Sequence, residues 1–267
     1  MVIFATSEVR EALISLKKAF RRLDKLLKYG LGPRARQREK AAEARARHER
    51  FRQPGLWAAN HGLTRRKYAS YDAYIGHQAA KLDGIIERLR RTEDEDFAVF
   101  LRRFEACEPL REARSVLCLG ARLGTEVRAL HELGHFAVGI DLEPGPDNRY
   151  VLPGDFHQSV FPDGSVDAVY TNALDHVFDL EGVLREVDRL LRCHGLFIAD
   201  IELGYDEGFI PGEFEATHWR DRRTLVDRLT AVASLSLEDA PGLAERDRWT
   251  QIVLRKVPTP DRPSAGA

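Results

Sequence analysis

The chain of 267 residues is long enough for one large domain or a domain with an appendage, and 43% hydrophobic with 31% charged residues excludes wholesale disorder. Its cysteines, Cys107, Cys118 and Cys193, form no CxxC pair and no zinc-type Cys/His spacing, so neither a disulfide framework nor a metal site is expected. No run approaches the ~18–20 apolar residues that cross a bilayer, no secretion signal is expected, and the chain reads as cytoplasmic.

A formal net charge of −1 hides an uneven distribution: from Leu16 to Lys67 there are 17 Lys or Arg against four Asp or Glu. Leu13, Leu16, Phe20, Leu23 and Leu27 recur at helical spacing among lysines and arginines, and Gly30-Leu31-Gly32-Pro33 stops that pattern. Residues 34–52 form a basic, Ala-rich stretch, either an exposed helix or an arm. Further helical patterns run through Tyr71–Arg91 and Asp94–Cys107. The basic amphipathic helix suits a solvated appendage, peripheral contact with an anionic inner-membrane face, or a dimer seam. It lacks the aromatic interleaving of a nucleic-acid site, so nucleic acid ranks below these partners.

From about residue 111 the pattern changes. Apolar runs at Ser115–Leu119, Phe136–Ile140, Val166–Thr171 and Leu196–Ile201, with weaker ones at Ala233–Leu237 and Thr250–Leu254, alternate with helical segments at Thr125–Leu133 and Leu180–Leu191. This is the βαβ signature of an α/β fold with a parallel sheet and helices on both faces. The expected organisation is a helical basic region over 1–110, an α/β domain over 111–256 and a disordered tail over 257–267.

After the first strand the chain reads Gly120-Ala121-Arg122-Leu123-Gly124 and enters a helix. Glycines at such a turn let backbone approach a ligand closely. Asp141 ends the next strand, 21 residues after Gly120, where a carboxylate can accept from ribose hydroxyls. A dinucleotide is disfavoured because Arg122 occupies the position of the middle glycine that a pyrophosphate needs.

These stations read VLCLGARLG (116–124), GID (139–141), GDFHQ (154–158), VDAVYTN (166–172), ALDHV (173–177) and LREVDRLLRCHG (184–195). In order and spacing the series resembles the class I, Rossmann-like methyltransferases that use S-adenosyl-L-methionine. The resemblance implies cofactor contacts from Gly120, Ala121, Gly124, Asp141, Leu142 and Asn172. It places Asp155 and Phe156 at the adenine. Cys118, Arg122 and His194 depart from the family pattern, where an acidic residue, a small residue and a glycine are usual. A cofactor-binding but non-catalytic scaffold, or a nucleic-acid methyltransferase, are the alternative readings.

Methyl transfer needs an aligned nucleophile and, for a hydroxyl, a proton acceptor. Asn172, Asp175 and His176 follow the strand Val166–Thr171 and should face the methyl group, with Tyr170 and Thr171 near. Asp175 and His176 can act as a carboxylate–imidazole base; capping and packing is the other reading. His157 follows the adenine station. His218, with Tyr205 and Trp219, lies in a segment, 204–219, long enough to form a substrate lid. The wording of residues 120–176 also resembles bacterial methyltransferases linked with surface-polysaccharide assembly. That resemblance implies O-methylation of a glycan or small-molecule hydroxyl.

Overall fold

The computed structural model describes residues 42, 45, 46, 49, 51, 55–60, 62–145, 147–240 and 249–258. The apolar stripe of residues 13–27 and the tail from residue 259 lie outside the described residues, and only five positions of the basic stretch, all helical, lie within them. The chain divides into two compact units, Met1–Arg52 and Gln53–Ala267. The second carries the fold described below. Among the described residues no helix is long and apolar enough to cross a membrane.

That unit opens with a hairpin, β1 (Trp57–Asn60) and β2 (Leu63–Arg66), inside the region expected to be helical. Strands form there because β2 finds a distant partner: Leu63 pairs with Trp219 and Arg65 with Thr217 of β8 (Thr217–Trp219). Helix α1 (Tyr71–Ala106) follows, with the Ser70 side chain accepting from the Ala73 N–H at 3.1 Å as its N-cap. It runs unbroken through residues 92–93, where the sequence pattern suggested a break. The helix ends at Cys107, just before Pro109, which cannot continue it.

The remaining elements are β3 (Ser115–Leu119), α2 (Thr125–Glu132), β4 (Phe136–Asp141), β5 (Val151–Pro153), β6 (Val166–Thr171), α3 (Leu180–Leu190), β7 (Leu191–Glu202), β8, α4 (Arg222–Val232), β9 (Leu235–Asp239) and β10 (Trp249–Lys256). Seven strands form one sheet in the order β5-β4-β3-β6-β7-β10-β9. Strands β3 to β7 pair in parallel, while β10 lies antiparallel to both β7 and β9.

Alternation along each strand sends successive side chains to opposite faces. Val116, Cys118, Ala168, Tyr170, Ile198 and Val253 pack with Phe104 of α1 and Val127, Ala129 and Leu130 of α2. Leu117, Leu119, Val169, Phe197, Ile252 and Leu254 pack with Val183, Leu184 and Leu190 of α3 and Leu225 and Leu229 of α4. This is the Rossmann-like α/β arrangement expected, extended by the hairpin and α1.

Three local differences matter. Strand β7 starts at Leu191, directly after α3, and its register against β6 shifts between Val166 and Ala168. His194 takes a left-handed φ of 65° there, the conformation the usual glycine supplies without strain. The segment 204–219 is tethered: Arg66 donates to the carbonyls of Gly212 (2.8 Å) and Glu215 (2.9 Å), and Trp219 Nε1 donates to Glu202 O (2.9 Å).

Candidate active site

Strand order reverses at β3 and β6, the neighbours from which the chain winds outward in opposite directions. An open α/β sheet forms its ligand crevice at this point, beyond the carboxyl ends of the strands. Here the crevice holds a cavity of about 430 Å³ and a smaller one of about 40 Å³ beside it.

The floor is the loop after β3. Gly120 has φ +73°, and a Cβ added to it would stand 2.8 Å from the Ala173 Cβ, so the loops after β3 and β6 meet only because residue 120 has no side chain. Gly124, with φ +76°, caps α2, and Tyr150 and Val151 leave no space for a Cβ. Asp141 holds the loop from the next strand: its Oδ2 accepts from the Arg122 N–H (3.0 Å) and its Oδ1 from the Glu143 N–H (2.9 Å). Burial raises the Asp141 pKa, and these N–H groups and the Arg122 guanidinium act against that rise.

Gly120, Ala121, Asn172 and His176 line the larger cavity; Gly120, Asp141, Leu142, Phe156 and His176 line the smaller. Gly124, Asp155, Asp175 and His218 line neither. Asp155 is instead engaged by its neighbours: His157 N and Nδ1 both lie 2.9 Å from its Oδ1, and the Tyr71 hydroxyl of α1 donates to its Oδ2. Because His157 Nε2 accepts from the N–H groups of Phe178 and Asp179, its proton sits on Nδ1 and points at Asp155. Burial alone would raise the Asp155 pKa, yet the bonds from His157 and Tyr71 hold it below the ordinary value.

Asp175 and His176 stand apart by 3.7 Å between Oδ2 and Nε2, longer than a hydrogen bond. His176 has shorter contacts. Its Nδ1 faces the Phe214 carbonyl at 3.0 Å and its Nε2 faces Lys81 Nζ at 2.6 Å. A carbonyl only accepts, so Nδ1 carries the proton and Nε2 accepts from Lys81. Burial, then the Lys81 charge, pushes the His176 pKa down to about 3, which keeps the ring neutral. Burial, then Arg122, lowers Lys81 to about 8.

His218 is fully buried, with Tyr205, Phe209 and Trp219 within 6 Å between ring centroids, and burial lowers its pKa to about 4. Tyr170 and Thr171 line neither cavity: Tyr170 donates to Asp200 (2.7 Å) and Thr171 to Leu119 O (2.9 Å).

The sequence reading missed the wall. Lys81, Ile85, Arg88, Leu89, Asp96, Phe100 and Arg103 of α1 line the larger cavity, joined by Glu126, Asp200 and Trp249. Arg103 pairs with Asp200 at 2.8 Å. Glu126, in the first turn of α2, is buried, and burial raises its pKa to about 8. It sits close enough to the buried Cys118 thiol to help raise that group's pKa, so a carboxyl group adjoins the strand position where the family's usual acid is replaced by cysteine. Among the described residues no group of three or more His, Cys, Asp or Glu is arranged to hold a metal ion.

Residues 117–199 match the methyltransferase-domain family model. In fold the chain is similar to Burkholderia thailandensis 1,6-didemethyltoxoflavin-N1-methyltransferase, solved with 1,6-didemethyltoxoflavin and S-adenosylhomocysteine: TM-score 0.59, 15% identity, 75% of this chain and 98% of that one. It is also similar to an S-adenosylmethionine-dependent methyltransferase from Thermotoga maritima, with TM-score 0.53, 17% identity, 68% of this chain and 99% of that one. A short stretch of 47 residues is 53% identical to the sterol 24-C-methyltransferase erg6 of Aspergillus fumigatus. That stretch is 17% of this chain and 12% of that relative. Residues 117–199 thus carry a methyltransferase domain, and the fold around them is that of the class I, S-adenosylmethionine-dependent methyltransferases.

Proposed function

We propose that the protein transfers the methyl group of S-adenosyl-L-methionine to a hydroxyl oxygen of a glycan or small molecule, with Lys81 as proton acceptor. The observation that carries this reading is the 2.6 Å contact between Lys81 Nζ and His176 Nε2 in the cavity that adjoins the glycine loop.

Cofactor binding uses Gly120 and Ala121, whose backbone is open to the cavity, and Asp141, whose carboxylate retains lone pairs for ribose hydroxyls beyond the two N–H groups it accepts. Phe156 lines the smaller cavity with Leu142, an apolar wall suited to a purine face. Asp155 stands behind, holding Tyr71 and His157.

When bound, the cofactor would supply its methyl group to the acceptor's hydroxyl oxygen and leave as S-adenosylhomocysteine, and Lys81 Nζ would take up the hydroxyl proton. A neutral Lys81 can donate one N–H to His176 Nε2 while its lone pair faces the acceptor, so His176 orients the amine and does not take the proton. With its pKa at about 8, Lys81 is partly neutral near physiological pH, where an ordinary lysine is almost wholly charged. Lys81, Arg88, Arg103 and Arg122 in the cavity lining favour an acceptor that carries polar groups.

Isothermal titration with S-adenosylhomocysteine tests the cofactor assignment; the absence of binding at micromolar ligand removes it. The reaction is tested by mass spectrometry of cell-extract glycans and small molecules incubated with the protein and methyl-deuterated cofactor. Labelled O-methyl products support the reading, whereas label found only on nitrogen or carbon refutes it.

A further inference from the structure

Two guanidinium groups in the larger cavity lack the acid that such groups ordinarily meet. Arg122 reaches it from the glycine loop and Arg88 from α1. The backbone of Arg122 is well held: its N–H binds Asp141, its carbonyl accepts from Asn148 Nδ2 at 2.7 Å, and its φ is +43°. That left-handed conformation disfavours a non-glycine residue and persists where its surroundings enforce it. Its guanidinium, like that of Arg88, makes no hydrogen bond or ion pair among the described residues. The two lie near enough for the Arg88 charge to disfavour that of Arg122.

No acid that lines the same cavity pairs with Arg88 or Arg122 among the described residues. Asp200 is bound by Arg103 and Tyr170, Glu126 is largely uncharged at neutral pH, and Asp96 keeps its charge but accepts from the neutral Thr92 hydroxyl (2.7 Å). Asp141 and Asp175 attract Arg122 without direct contact from its guanidinium. The cofactor worsens the balance, because S-adenosylmethionine carries a sulfonium and an ammonium against one carboxylate. A net cation would thus join two unpaired arginines in a cavity of about 430 Å³. Arg122 is half-buried and Arg88 stands exposed at the cavity's edge, so the repulsion falls mainly on Arg122.

Building on the methyltransferase reading, we propose that the acceptor is anionic, carrying a carboxylate or phosphate that Arg88 and Arg122 bind together while its hydroxyl faces Lys81. A guanidinium fork matches either oxyanion through paired N–H donors. The acceptor then supplies the charge that the loaded cavity lacks.

The probes are inorganic phosphate and acetate, titrated by calorimetry into the full chain, free and saturated with S-adenosylhomocysteine. Binding of either anion to the saturated protein is expected. It should weaken about tenfold or more in Arg88→Ala and again in Arg122→Gly, a change that suits the left-handed backbone. Preference for phosphate or for acetate identifies the acceptor group. Anion binding to the free protein that saturation abolishes would overturn the proposal, assigning both arginines to the cofactor's own carboxylate. Failure of both anions to bind would overturn it too, as would binding that both variants retain. If S-adenosylhomocysteine itself fails to bind, the underlying methyltransferase reading falls, and this assignment with it.

Discussion

Replacing Lys81 with methionine should stabilise the protein and abolish its reaction. A lysine whose pKa falls from 10.5 to about 8 on folding is held at a cost when charged, by about 1.4 kcal/mol for each unit, or about 3 kcal/mol at pH 7. Methionine matches the apolar stem and brings no charge, but it loses the bond to His176, which offsets about 1 kcal/mol. The net expectation is a gain of about 1–2 kcal/mol at pH 7. The sign with pH follows from linkage. Between about 8 and 10.5 the unfolded chain binds more protons at Lys81 than the folded one, so the wild type gains stability as pH rises and the variant's advantage fades. Urea denaturation at pH 7, 8.5 and 10 measures the difference, and label transfer from methyl-deuterated cofactor measures activity. A variant less stable than wild type at pH 7, or one that keeps more than about a tenth of the turnover, would refute the assignment of Lys81 as a buried, depressed proton acceptor.

Other expectations follow from the same geometry. Wild-type kcat/KM should rise with pH to a plateau above about 8, and Lys81→Arg should lack this rise, as pH–rate profiles would show. Glu126→Gln should match wild-type stability at pH 5 yet exceed it by roughly 2–4 kcal/mol at pH 8.5: a folded pKa raised to about 8 makes the wild type lose stability from about pH 4.5 upward, which denaturation across pH would reveal. Gly120→Ala, with its Cβ 2.8 Å from that of Ala173 and a left-handed backbone, should cost about 2–4 kcal/mol by urea denaturation and weaken S-adenosylhomocysteine at least tenfold by calorimetry. Asp141→Ala should lower that affinity by about tenfold or more and free two loop N–H groups, read as lost amide-exchange protection at Arg122 and Glu143.

Strands β3, β4 and β6 were legible because their apolar runs are self-contained, and the glycine loop with Asp141 because backbone chemistry at fixed spacing marks it. The hairpin was not, since Trp57–Arg66 holds few apolar residues and its third strand comes from residues 217–219. Strand β8, three residues long, offers no periodicity to read. The α1 wall escaped for a different reason. Tyr74, Gln78, Lys81, Ile85, Arg88, Asp96 and Arg103 follow helical spacing, but the stripe is mainly polar, and a search for apolar periodicity passes over it. The pairing of His176 with Lys81 rather than Asp175 could not be read from neighbouring letters, because its partner lies 95 residues away on that helix.

Helix α1 bears on how this protein can change. At about 1.5 Å per residue, its 36 residues form a rod about 54 Å long. From Lys81 to Arg103 that rod supplies the cavity's outer wall, while the glycine loop and Asp141 come from chain segments beginning after residue 119. On the function proposed above, much of acceptor recognition and most of cofactor grip sit on separate stretches of the chain. Substitutions at 85, 88, 89 or 100 could retune what enters the cavity without disturbing the backbone turn beneath it, and an exchanged helix could bring a new acceptor to an inherited chemistry.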